Sequence, residues 1–126
     1  MGVTYDAGAL VAAERGERRM WARHRALLMM REIPVVPAPV VAQAWRGGAR
    51  QAPLARFLIG SKIEAMTDNQ ARAVGVFAGR AGIADIVDVC VVEGALRRRD
   101  MVITADAKDL TAIASAVGRH LEVERP

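Results

Sequence analysis

The chain has a single cysteine, Cys90, and few aromatic side chains: two Trp, one Tyr and two Phe in 126 residues. A lone cysteine rules out an internal disulfide. Its setting in the apolar run VCVV marks a buried small hydrophobe rather than a nucleophile. With so few aromatics, Ala and Val must fill the core, which suits thin strands between helices. Lysine is equally scarce, since Lys62 and Lys108 are the only two among 18 basic residues. His24 and His120 have no partner at metal-ligand or triad spacing and read as surface or packing residues. There is no Gly-rich phosphate loop, Ser-His-Asp pattern or Cys/His zinc pattern. The run IPVVPAPVVAQAW is apolar but carries three prolines and is too short to span a bilayer. The N-terminus lacks the basic region and long apolar stretch of a signal peptide. The expectation is a cytoplasmic protein without membrane association.

The length is that of one domain, residues 1–126, able to bury a core without disulfides. Hydrophobic content of 52% with 25% charged residues fits a soluble globular protein. The net charge of +4 and pI of about 10.2 favour a polyanionic partner bound through its phosphates. GC-rich codon bias would explain the Arg:Lys ratio, but it explains the excess of positive charge less well.

Val3 to Tyr5 predict a strand and Ala7 to Ala13 a helix, broken at Arg15-Gly16. Glu17 to Glu32 predict a long helix with Met20, Trp21, Leu27 and Leu28 on one face. That face suits the core first and a partner surface second. Pro34 to Val36 read as a strand, followed by a helix through Val40, Val41, Ala44 and Trp45 that stops at Gly47-Gly48. Leu54 to Leu58 form a short helix closed by Gly60, and Ile63 a brief strand. Thr67 caps a helix from Asp68 to Ala81. Asp85 caps the next, which runs to Arg99. Met101 to Thr104, Ala107 to Ala116 and Leu121 to Val123 complete the chain as strand, helix and strand. Such alternation predicts an α/β fold of three layers, α/β/α, around a short, mainly parallel sheet.

The acidic residues are the most informative. Asp6 follows the first strand, Asp88 with Asp85 opens an apolar helix, and Asp106 ends the run MVITAD. In an open α/β sheet these positions share one edge. A carboxylate cluster repels itself unless a cation sits in it, and oxygen ligands without Cys or His point to Mg²⁺ or Mn²⁺. Each Asp also has a structural explanation. Asp6 can cap a helix, while Asp85 with Asp88 and Asp106 with Asp109 have capping-box spacing. The two roles are compatible, because a helix N-terminus stabilises an ionised carboxylate.

In order and spread, these segments resemble the PIN-domain family, and within it the VapC-type toxins of bacterial toxin–antitoxin pairs. The family opens with a strand ending in Asp and a helix, here VTYDAGALVAAERG. Its second motif corresponds to PAPVVAQAWRGG, its third to DIVDVCVVEGA and its fourth, Thr/Ser-x-Asp, to ITADAKDL. The resemblance implies a metal-dependent endoribonuclease with Asp6, Asp88 and Asp106 as catalytic and metal-holding residues. It implies products with a 5′-phosphate and a 3′-hydroxyl, a small cognate antitoxin and a homodimer. Asp85 would be a supporting residue, and Asp109 a further candidate.

One position departs from the pattern. Where the family usually has Glu, this chain has Gln43. An amide oxygen can ligate a cation but brings no charge, and at ~4 Å with an effective dielectric near 20 each unit-charge pair is worth about 4 kcal/mol before desolvation. Metal binding should be weaker, or Gln43 contacts water or substrate, or it is a solvated helix residue. Arg46, three residues on, either meets an RNA phosphate or favours its helix C-terminus. Thr104 would orient a ligand water. Arg97 to Arg99 read as a solvated helix end. A second reading is a catalytically weakened PIN domain that binds RNA or a protein without cleaving. A third, a receiver-like phosphoacceptor, requires an adjacent acidic pair on the first strand, and Tyr5 precedes Asp6 instead.

Overall fold

The structure, a computed structural model, describes residues 2–126. Five strands form one fully parallel sheet: β1 (Val3–Tyr5), β2 (Val35–Pro37), β3 (Lys62–Glu64), β4 (Met101–Ile103) and β5 (Val123–Glu124), in the order β3-β2-β1-β4-β5. The helices are α1 (Ala7–Glu14), α2 (Arg18–Met29), α3 (Ala38–Ala44), α4 (Ala52–Ile59), α5 (Asp68–Ala81), α6 (Ile86–Arg98) and α7 (Ala107–Ala116). α1 packs with α2, α3 and α4, while α5, α6 and α7 pack with one another. The sheet is thus flanked by helices, the α/β/α class that the sequence predicts. β1 is central, with the chain returning to β2 on one side and to β4 on the other. That reversal creates a crevice at the C-terminal ends of β1 and β4.

The core is made mainly of Ala, Val, Leu and Ile from both helical groups and the strands. Tyr5 and Phe57 are fully buried, and both rings meet His24. The Tyr5 hydroxyl lies 2.9 Å from His24 Nδ1. Burial drives the Tyr5 hydroxyl well above its usual pKa and the His24 imidazole below it, so both are neutral packing groups. His120 is exposed. Met20 is fully buried and Trp21 half-buried, its indole donating to the Ala13 carbonyl at 3.0 Å, so the predicted apolar face of α2 serves the core at these two residues. Cys90 is buried, and desolvation pushes its thiol up to about 11, which makes it inert at neutral pH.

Element ends differ modestly from expectation. α3 stops at Ala44 because Trp45 is extended and the Gln51 side chain takes over the backbone N–H groups of Arg46 and Gly47, at 2.7 and 2.9 Å. The last strand lies at Val123–Glu124 rather than Leu121–Val123, although the Glu122 carbonyl already accepts from Val102 N.

Arg98 corrects the expected solvated helix end, while Arg97 stays exposed as expected yet joins the same ion pairs. Arg98 Nη1 donates to Glu64 at 2.6 Å, its Nε donates to Asp100 at 3.0 Å, and its Nη2 donates to Thr4 at 2.9 Å. Arg97 bonds Glu64 and Glu93, and Glu93 also accepts from Gln70. Side chains from β1, β3, α5, α6 and the start of β4 are thereby tied together, because each carboxylate they carry needs a partner once it is buried. Only Arg99 remains exposed and outside the ion pairs. Replacing Arg98 with Ala leaves Glu64 and the nearly buried Asp100 without their shared partner. Urea unfolding should show a loss of about 3 kcal/mol, the usual cost of breaking a buried pair from one side. A loss below about 1 kcal/mol would mean that the network is no more than surface pairing.

Candidate functional site

The crevice at the switch point collects acid from three elements. Asp6 leaves β1 as the N-cap residue of α1, Asp88 sits in the first turn of α6, and Asp106 follows β4 at the start of α7, with Asp109 in that helix's first turn. One carboxylate oxygen from each of Asp88, Asp106 and Asp109 lies within 4.8 Å of the other two. Asp6 does not join the three at that distance, but its charge acts on both Asp88 and Asp106. Asp109 stands beside Asp106 because the two are three positions apart, about one helical turn.

Capping accounts for only part of this acid. The Asp85 side chain caps α6, accepting from Val87 N at 3.1 Å and Asp88 N at 3.2 Å. Asp6 and Asp106 occupy N-cap positions without a side-chain cap hydrogen bond. Asp6 is nearly buried and instead accepts from the Thr104 hydroxyl at 2.8 Å, while the Thr104 oxygen accepts from Asp106 N at 2.9 Å. Thr104 therefore couples the ends of β1 and β4. Its hydroxyl proton is committed to Asp6, not to a ligand water. That role follows from the parallel register, which sets Tyr5 opposite Ile103 and so places the residues after them side by side.

The electrostatics record the crowding. The Asp88 carboxyl is pushed up from 3.8 to about 6, first by desolvation and then by Asp85, Asp6, Asp106 and Asp109. Asp106 is also raised, through desolvation, then the charge of Asp109 and a hydrogen bond with it, and then Asp6 and Asp85. Neither partner set contains a cation. Hard oxygen donors converging from separate elements fit Mg²⁺ or Mn²⁺, with Asp88, Asp106 and Asp109 positioned to hold it and Asp6 behind them.

Gln43 is exposed on α3, which packs against both α1 and α6. Arg46 is exposed too, but its Nη1 donates to the carbonyls of Ala42 and Trp45 at 3.0 and 2.8 Å, satisfying the end of α3. Sequence reasoning missed Gln51. This buried amide donates to Glu14 at 2.6 Å and to Ala44 O at 2.8 Å, fixing the loop after α3 against α1. Only its place between Gly48 and Pro53 hinted at a turn-organising residue.

No protein-family model matches the chain, and no curated protein matches it. Among solved structures it is similar to a chain in the crystal structure of VapBC2 from Rickettsia felis bound to a DNA fragment from their promoter. The two share 13% identity with a TM-score of 0.71, over 100% of this chain and 99% of that one. The likeness is one of fold, and it agrees with a PIN-like α/β/α arrangement.

Proposed function

We propose that this protein is a metal-dependent endoribonuclease and the toxin of a type II toxin–antitoxin pair. The observation that carries the reading is the convergence of Asp88, Asp106 and Asp109, with Asp6 nearby, at the C-terminal edge of a parallel sheet. A bound Mg²⁺ or Mn²⁺ would supply positive charge to polarise water and the scissile phosphodiester of RNA. The chain's own residues do the rest. Asp88, Asp106 and Asp109 orient carboxylate oxygens toward one point. Thr104 holds Asp6, and Asp85 holds the first turn of α6. Likeness to the VapBC2 chain supports a toxin–antitoxin role with an antitoxin as partner, and a homodimer is what the sequence resemblance implies for the assembly. No helix among the described residues is long and apolar enough to cross a membrane. The second reading, a weakened PIN domain that binds RNA or a protein without cutting, is favoured by Gln43, a neutral and exposed residue in place of the expected Glu.

Calorimetry should show Mn²⁺ binding no tighter than micromolar, on the order of −8 kcal/mol or weaker, and Gln43→Glu should strengthen it. Equal affinity in the two proteins would place residue 43 away from the ion.

The carboxylate crowding also predicts a stability effect. Asp88 binds its proton more tightly folded than unfolded, so between about pH 4 and its folded value near 6 the native state holds more protons. Metal-free stability should therefore fall as pH rises through that window. Asp88→Asn should remove Asp88's share of this slope, leaving the part due to Asp106, whose carboxyl is also raised. At pH 7 it should raise stability by about 1 kcal/mol, after discounting the shift for the solvent screening of a half-exposed group. Thermal melts with a chelator would check this, and a lower melting temperature for the variant would show that Asp88 is there for structure.

With Mn²⁺ or Mg²⁺ the protein should cleave single-stranded RNA, EDTA should stop it, and Asp88→Asn should abolish it. RNA binding without cleavage, combined with cleavage restored by Gln43→Glu, would establish the weakened-domain reading.

A further inference from the structure

The two edges of the sheet are treated differently. β5 forms one edge with only two residues, and its outer side is occupied. The Glu124 carbonyl turns inward to accept from Thr104 N, so the Arg125 carbonyl turns outward. Arg23 Nη1 donates to that carbonyl at 2.9 Å, while its Nη2 pairs with Glu124. β3 forms the other edge and pairs with β2 alone. Lys62 N donates to the Pro34 carbonyl at 2.8 Å, so the backbone groups of Lys62 and Glu64 turn toward β2. Strand alternation then leaves the N–H and C=O of Ile63 on the outer side. Lys62 and Ile63 are both exposed. An open edge of this kind is a template for pairing with another chain.

Apolar surface adjoins the edge on one face. Glu64 bonds Arg97 and Arg98 of α6, so Lys62 and Glu64 face that helical group. Ile63 therefore faces the other side, where α4 packs on β3. Ile63 is 44% exposed, and Ile59 at the end of α4 is 84% exposed. Ile59 also lines an apolar groove of about 420 Å³ with Val41, Trp45, Ala55 and Leu58. On the opposite face a cleft of about 340 Å³ opens beside Glu64 and leaves room for a further side chain there.

Charge selects the occupant. Lys62 has no ion-pair partner among the described residues. An edge lysine repels most wrong partners, but the run Lys62-Ile63-Glu64 is complementary to itself. In an antiparallel pair about a twofold axis at Ile63, the two Ile63 residues exchange N–H···O bonds. Lys62 of each copy then stands opposite Glu64 of the other, on the same face. The same axis sets the two α4 helices side by side, with Ile59 and Ile63 between them. We propose that two copies of this chain associate through β3, joining their sheets into one. This assigns an interface to the homodimer, and it holds whether or not the acidic crevice cuts RNA.

Sedimentation equilibrium on the full chain should show a dimer. Ile59→Lys and Lys62→Glu should each weaken association about 10-fold or more, the first by charging the apolar contact and the second by setting carboxylates opposite one another. Both residues are exposed in the single chain, so melting temperatures measured on dissociated protein should not change. Val76→Lys, at an exposed apolar residue of α5, should leave association intact. Hydrogen exchange should find the Ile63 amide protected in the dimer and unprotected in Ile59→Lys. On oxidation Ile63→Cys should cross-link the copies, because residues in a hydrogen-bonded antiparallel pair have Cα atoms about 5.5 Å apart, within disulfide reach. The native Cys90 is buried and does not compete. A dimer that survives both Ile59→Lys and Lys62→Glu, or one that is lost in Val76→Lys and leaves the Ile63 amide unprotected, overturns the β3 interface and keeps the homodimer. A chain that is monomeric at every concentration overturns both. RNA cleavage tests the nuclease reading separately from either result.

Discussion

Mutual repulsion among carboxylates is the constraint on which the functional region depends. Asp6, Asp85, Asp106 and Asp109 come from the end of β1 and the starts of α6 and α7, yet all four add to the field at Asp88. A fold gains nothing by gathering like charges, and here the crowding raises the proton affinity of Asp88 and Asp106. The arrangement persists because the sheet imposes it. β1 and β4 are adjacent and parallel, so the residues that leave them emerge at one edge. α6 lies against β1 and β2, which brings its first turn to the same place. The thin Ala- and Val-rich core and the Gly8–Ala105 contact keep these elements close.

Much of this geometry is legible in the sequence because it is local. Strand–helix junctions are marked by Asp6 and Asp106 and the start of α6 by Asp85, and alternation of short apolar runs with helical segments specifies a parallel sheet. The five strands and seven helices fall close to where hydrophobic periodicity and caps put them, and the shifted ends at Ala44 and Val123 are matters of one to three residues. What stayed hidden was long-range. Nothing near Thr104 in sequence says that its hydroxyl serves Asp6, and nothing near Arg98 says that it reaches Glu64, Asp100 and Thr4. A run of three arginines at a helix end normally favours solvent and the helix dipole. Here strand order turns Arg98 inward and ties the exposed Arg97 to Glu64 and Glu93. Asp109 was similarly easy to treat as part of a capping box, since its spacing from Asp106 fits that motif. Only the three-dimensional placement of Asp88 beside both gives it a shared focus.

The contrast between the two charged networks separates structure from function. Around Arg97 and Arg98, each of Glu64, Glu93 and Asp100 has a cationic partner within hydrogen-bond distance, and Gln70 and Thr4 complete the set. Such a network holds elements together and leaves little charge for a ligand. At the other cluster no Arg or Lys among the described residues pairs with Asp6, Asp88, Asp106 or Asp109, although this basic chain has cations to spare. Where a partner was needed for stability, the sequence supplies arginine. Where it is withheld, the crowded carboxylates leave room for a cation from solution, which is the feature on which the proposed function rests.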